Sequence, residues 1–155
     1  GHHASTQLMI ENMLEYNIEK FSRILDLGCG SGILSILAKK MGVKDVTAID
    51  NDPLCEDNFI KNCNLNQVSG INFIIDDVHK ISDYNYDVIL ANINKNNVIK
   101  IIKNFEISYS KSILIVSGLL DSDLTEISNS LKQSFIDKIK QKEEWISLVL
   151  KNKSG

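Results

Sequence analysis

The sequence predicts a doubly wound α/β sheet, mainly parallel and seven-stranded, with one antiparallel strand. Three observations predict it. Short apolar runs alternate with segments of helical periodicity, the signature of right-handed βαβ units. A glycine-rich turn, Gly28-Cys29-Gly30-Ser31-Gly32, separates the first apolar run from the helix after it. The last two strand-like runs lie only two or three residues apart, too close for a crossover, so they form a hairpin and one of them runs against the rest.

The elements follow in order. Leu8, Ile10, Met13, Leu14 and Ile18 recur at helical spacing, predicting a helix over 6–18 with Ser5 as its N-cap. Residues 23–27 form an apolar strand ending in Asp26-Leu27. A helix over 32–41 follows the glycine turn and stops at Gly42. A second strand, 46–49, runs into Asp50. Asp52 caps a helix to Leu65 that has Pro53 in its first position. Further strands are predicted over 71–75, 86–92 and 112–117, the last closed by Gly118, with helices over 97–104 and 121–133. The hairpin strands span 135–141 and 144–151, with Trp145 as a core anchor. The early strands are continuous apolar runs, as expected where helices cover both faces.

The bulk composition narrows the partners. The 155 residues suit one domain, 43% hydrophobic and 24% charged. A formal net charge of -3 disfavours a sequence-independent grip on nucleic acid, which needs a basic face. No run approaches the ~20 apolar residues of a membrane span. The opening residues lack the basic-then-apolar pattern of a secretory signal. Three cysteines, Cys29, Cys55 and Cys63, show neither a C-x-x-C pair nor zinc spacing. The expectation is a reduced, cytoplasmic protein without metal.

Four features carry chemistry. In an open α/β sheet, ligands bind beyond the carboxyl ends of the strands, where glycines let the backbone turn tightly and approach a ligand. The turn reads G-x-G-x-G after Asp26. The dinucleotide fingerprint G-x-G-x-x-G would need a glycine where Ile33 stands. Asp26, Gly28, Gly30 and Gly32 therefore suit a nucleoside with a sulfonium and an amino-acid tail better than a pyrophosphate. Asp50, about 20 residues past the glycines, is placed to accept hydrogen bonds from both ribose hydroxyls. Asp52 is better placed to cap the helix. At the end of the third strand, Asp76 or Asp77 could take the adenine amino group, with Asp77 preferred. Asn92 ends the fourth strand. It reads equally as a turn-forming asparagine or as an amide aiming an acceptor amine at a transferred methyl. Cys29 reads as packing within the turn, and His79 as a surface residue.

These residues carry a resemblance. Asp26 to Gly32 with Asp50 resemble the motifs of class I S-adenosylmethionine (SAM) methyltransferases, a Rossmann-like fold with a reversed strand near its edge. The match is closer to the PrmA family, which methylates a large-subunit ribosomal protein (protein eleven). Gly1-His2-His3-Ala4-Ser5-Thr6 resembles its opening G-T-H-P-T-T motif. Asp26 to Leu34 is similar to its SAM loop, Ala91-Asn92-Ile93 to its A-N-I motif, Ser117-Gly118-Leu119-Leu120 to its S-G-I-L segment, and Glu144-Trp145 with Leu148 to its last strand.

The resemblance implies that Thr6, Gly28, Asp50 and Asn92 contact SAM. It implies that Asn92 orients the acceptor, and that the acceptor is an amino group of a protein, a ribosomal one. It favours reading His2 and His3 as members of a native motif over the alternative, the remnant of a purification tag. This chain departs from the family pattern at Ala4, where the motif has proline, at Ser5, where it has threonine, and at Asn94, where a leucine is usual near the acceptor channel. The family also carries an N-terminal domain that recognises the substrate, which these residues do not include. The expectation for residues 1–155 is a catalytic domain. The alternatives are a methyltransferase of a small molecule and an inactive SAM-binding module.

Overall fold

A computed structural model describes residues 2–154, His2 by its backbone alone. Gly1 and the His2 side chain, part of the opening motif, lie outside the described residues. The sheet has seven strands: β1 (Arg23–Leu27), β2 (Asp45–Asp50), β3 (Asn72–Ile75), β4 (Val88–Asn92), β5 (Ile113–Leu120), β6 (Ser134–Lys142) and β7 (Trp145–Asn152). Their order is β3-β2-β1-β4-β5-β7-β6. β1 to β5 pair in parallel, and β7 is antiparallel to both neighbours. The reversed strand therefore lies one place inside the edge.

The helices are α1 (His2–Glu15), α2 (Ile33–Met41), α3 (Leu54–Leu65), α4 (Lys95–Ser108) and α5 (Leu124–Ser130). They cover both faces, which is why the central strands are apolar on both sides. Met9 and Met13 of α1 and Leu34 and Ala38 of α2 pack on Ile24, Val88, Leu90 and Val149. Val98, Ile101 and Phe105 of α4 with Ile127 of α5 pack on Leu25, Leu27, Ile89 and Leu148 on the opposite face. The order reverses between β1 and β4, and the crevice there is where such sheets bind ligands.

Several boundaries differ from the sequence expectation, each for a tertiary reason. Ser5 is not an N-cap. α1 begins at His2, and Ser5 is buried in its second turn with its carbonyl accepting from Ser117 Oγ at 3.0 Å. The helix ends early because Asn17 adopts a left-handed conformation, φ 53°, and Ile18 falls in a 3-10 turn. α4 starts at Lys95 because Asn94 is its cap, accepting from the Asn97 amide at 3.0 Å. The helix expected over 121–133 shrinks to a 3-10 turn over 121–123 plus α5. Glu106 Oε2 draws the amides of Lys132, Gln133 and Ser134 out of any helix at 2.7–2.9 Å. β5 runs past Gly118 to Leu120 through a register shift between Val116 and Leu119. Trp145 opens β7 only half-buried, and the core residues of that strand are Ile146 to Leu150.

Candidate functional site

The glycine turn is tied to the sheet beneath it. The amides of Gly28 and Cys29 donate to the Ile49 carbonyl at 2.8 and 3.1 Å, and the Gly30 amide donates to Asp50 Oδ2 at 2.9 Å. All three glycines have left-handed φ, 71°, 54° and 91°. Their missing side chains face different surroundings. A Cβ on Gly28 would stand 2.7 Å from Ile93 Cγ2, and one on Gly32 would stand 2.5 Å from the Phe59 ring. One on Gly30 would meet nothing within 4 Å. Gly32 is thus a packing glycine, Gly28 a close-approach glycine that lines the crevice, and Gly30 the one whose missing side chain leaves open space.

Asp26 lies under the turn, 2% exposed, accepting from Ser35 Oγ at 2.6 Å. Burial pushes its carboxyl up to about 6, against the pull of the Ser35 hydrogen bonds. Its place is behind the crevice, joining β1 to α2. Cys29 packs against Ala48 and Phe59. Burial pushes its thiol well up, so a thiolate nucleophile does not form there.

Asp50 ends β2 beside the turn. Its Oδ1 accepts from the Asp52 amide at 3.0 Å, and its Oδ2 from Gly30. Each oxygen keeps lone-pair capacity for a further donor. Asp52 Oδ1 takes the Leu54 amide at 2.9 Å, but α3 begins one residue later than expected, at Leu54, with Pro53 rather than Asp52 in the N-cap position. The two candidates after β3 separate. Asp77 faces the crevice, with one oxygen engaged by the His79 amide at 2.9 Å. Asp76 is exposed and holds the Asp77 amide.

Gly28, Asp50, Asn51, Asp77, Val78, His79, Ile93 and Asn97 line a cavity of about 350 Å³ at the carboxyl ends of β1 to β4. A larger cavity, about 710 Å³, lies among Phe21, Asp83, Tyr84 and Lys111 at the opposite end of the strands, away from every residue singled out above. Asn92 and Thr6 meet beside the smaller one. Asn92 Nδ2 donates to Thr6 Oγ1 at 3.4 Å, and Asn92 Oδ1 has no partner among the described residues. That leaves an oriented acceptor at the end of β4, next to Gly28 across the β1–β4 switch point. Among the described residues, no group of three His, Cys, Asp or Glu could hold a metal, and no helix is long and apolar enough to cross a membrane.

Three participants, Ile93, His79 and Asn97, escaped the sequence reading. Ile93 is held between Gly28 and Gly118. A Cβ on Gly118, at φ 88°, would collide with the Ile93 carbonyl oxygen. The signal was available as two glycines, one just after β1 and one within β5, the strands on either side of β4. His79 is half-buried on the cavity wall rather than on the open surface, with Nε2 2.7 Å from Asn97 Oδ1. Nothing in the sequence paired it with Asn97.

A parallel sheet with a single reversed strand inside its edge, a glycine turn after β1, a carboxylate closing β2 and an amide closing β4 define a protein of the Rossmann-like methyltransferase class. The profile of the family described as ribosomal protein L11 methyltransferase (PrmA) matches residues 1–153. The chain belongs to the ribosomal protein L11 methyltransferase family. It is 36% identical over 152 residues to the ribosomal protein L11 methyltransferase of Thermosipho melanesiensis, covering 97% of this chain and 57% of that protein. It is 35% identical over 153 residues to that of Porphyromonas gingivalis, covering 96% and 52%. The crystal structure of the ribosomal protein L11 methylase from Lactobacillus delbrueckii subsp. bulgaricus superposes with a TM-score of 0.88 at 28% identity, covering 97% of this chain and 79% of that one. The chain spans about half the length of the curated relatives it matches.

Proposed function

We propose that residues 1–155 are a catalytic domain that transfers a methyl group from SAM to amino groups of a protein, a ribosomal protein of the L11 kind, in the cytoplasm. One observation carries the reading: Asn92, fixed through Nδ2 on Thr6 with Oδ1 unengaged, stands beside the glycine turn that faces Asp50 and Asp77. The residues present fit the cofactor. Gly30 leaves open space where a side chain would stand, Gly28 lines the cavity, and the Asp50 and Asp77 carboxylates each retain acceptor capacity toward ribose hydroxyls and a base amino group.

When bound, SAM supplies an electrophilic methyl on a sulfonium. The chain supplies alignment. With the cofactor bound, Asp50 and the turn would hold the nucleoside, Thr6 would approach from α1, and Asn92 Oδ1 would accept from the acceptor amine and orient it. A lysine amine has an ordinary pKa of about 10.4, so it would give up a proton before attacking the methyl. Incubation with methyl-labelled SAM and a ribosomal protein extract tests the reading. The expected result is label on lysine or α-amino groups of one ribosomal protein. Label in small molecules alone would overturn it, as would none from a chain that binds the cofactor.

Gly118→Ala gives a second expectation. The left-handed φ costs roughly 1–2 kcal/mol with a Cβ, and the collision displaces Ile93 and with it Asn92. Turnover should fall at least about tenfold, with Tm down by a few degrees in a thermal melt.

A further inference from the structure

One wall of the cavity is formed by a 3-10 turn, Val78–Lys80, leading out of β3. It is fastened to α4 by two hydrogen bonds of His79. The ring Nε2 lies 2.7 Å from Asn97 Oδ1, and the His79 carbonyl accepts from Asn104 Nδ2 at 3.2 Å. The backbone amide of the same residue donates to Asp77 Oδ1 at 2.9 Å. His79 therefore joins the carboxylate on one side of the cavity to α4 on the other, and His79 and Asn97 both line the space between.

The ring is not there to satisfy the fold. Asn97 Oδ1 can only accept, so Nε2 is the donor in that bond, and Nδ1 is buried with no partner among the described residues. A buried polar atom left unpaired costs stability, and an apolar side chain would fill the place at lower cost. What the ring provides that an apolar side chain cannot is the directed bond to Asn97. That bond is one of the two that tie the turn to α4, and the turn carries the amide that holds Asp77.

We propose that the His79–Asn97 clasp is a specificity device. His79 and Asn97 are positioning residues that hold Asp77 where it reads the 6-amino group of a purine base. The inference rests on the SAM reading above. It extends that reading by assigning base discrimination to two residues which touch the carboxylate through the turn rather than through the base.

The test is calorimetric binding of S-adenosylhomocysteine (SAH) and of its 6-oxo, inosine counterpart to the 155-residue chain. Wild type should prefer the 6-amino ligand by at least about tenfold. A 6-oxo group presents an acceptor to the Asp77 acceptor and leaves it unpaired. His79→Ala should weaken SAH binding about tenfold and bring the preference toward unity. His79→Gln sets an amide donor near the position of Nε2 and should restore affinity and preference to within about threefold, whereas His79→Asn, with its donor near Nδ1, should not. Asn97→Leu should reproduce His79→Ala, and the double variant should be no worse than either single one. A general loss of stability would lower Tm without erasing the preference. If His79→Ala keeps wild-type discrimination, or if Gln and Ala fail alike, the clasp is not a specificity device. If His79→Ala does not fold, Asn97→Leu decides by the same readout. A wild-type chain that binds neither ligand would overturn the SAM reading along with this one.

Discussion

Asp50→Ala is expected to weaken SAH binding by two to three orders of magnitude while leaving the fold intact. Two charge-assisted hydrogen bonds to ribose hydroxyls are together worth about 3–4 kcal/mol, which is that range in affinity. Asp50 also braces the turn through the Gly30 amide, so its loss loosens the turn. The adjacent carboxylate is the control. Asp52 Oδ1 takes the Leu54 amide at the start of α3. Asp52→Ala should cost about 1 kcal/mol of stability with little change in affinity. Calorimetry on both variants, with thermal melts, separates the roles; equal losses of affinity would show that the whole β2–α3 corner matters rather than the Asp50 carboxylate.

Asn92→Ala is expected to divide the two halves of the site. Turnover should fall about a hundredfold, because a lone pair no longer held at the methyl forfeits much of the alignment that drives a direct displacement. SAH affinity should stay within about threefold, since on the cofactor side the substitution removes only the 3.4 Å bond to Thr6. Single-turnover kinetics with labelled SAM would check it. A matched loss of turnover and affinity would place Asn92 among the residues that hold the cofactor and remove its orienting role.

These two residues also mark how far the sequence could be read. β1, α2 and the Gly42 stop were legible because local signals and tertiary packing agree there: a buried apolar run, a turn that only glycines can make, and a left-handed C-terminal glycine. The hairpin was legible from spacing, though not its insertion of β7 between β5 and β6, which side-chain periodicity does not encode. Helix ends went astray where a distant group captured the backbone. Glu106 did so for the segment 132–134, and Ser117 for the turn that holds Ser5.

The site shows the same division. Asp50 could be picked out because Asp52 supplies the local alternative two residues on. Asn92 stayed ambiguous because its meaning comes from Thr6, 86 positions away, and from Ile93 wedged between Gly28 and Gly118. His79 was misplaced for the same reason. Its partner Asn97 belongs to α4, and Asn94 starts that helix ahead of the expected position by taking the Asn97 amide.

The most direct test of the central claim is titration of the 155-residue chain with SAH and, separately, with NAD. A G-x-G-x-G turn facing Asp50, Asp77 and a cavity of about 350 Å³ predicts one saturable SAH site per chain, lost in Asp50→Ala, and no comparable binding of NAD. Saturable NAD binding without SAH binding, or SAH binding that survives Asp50→Ala unchanged, would contradict it.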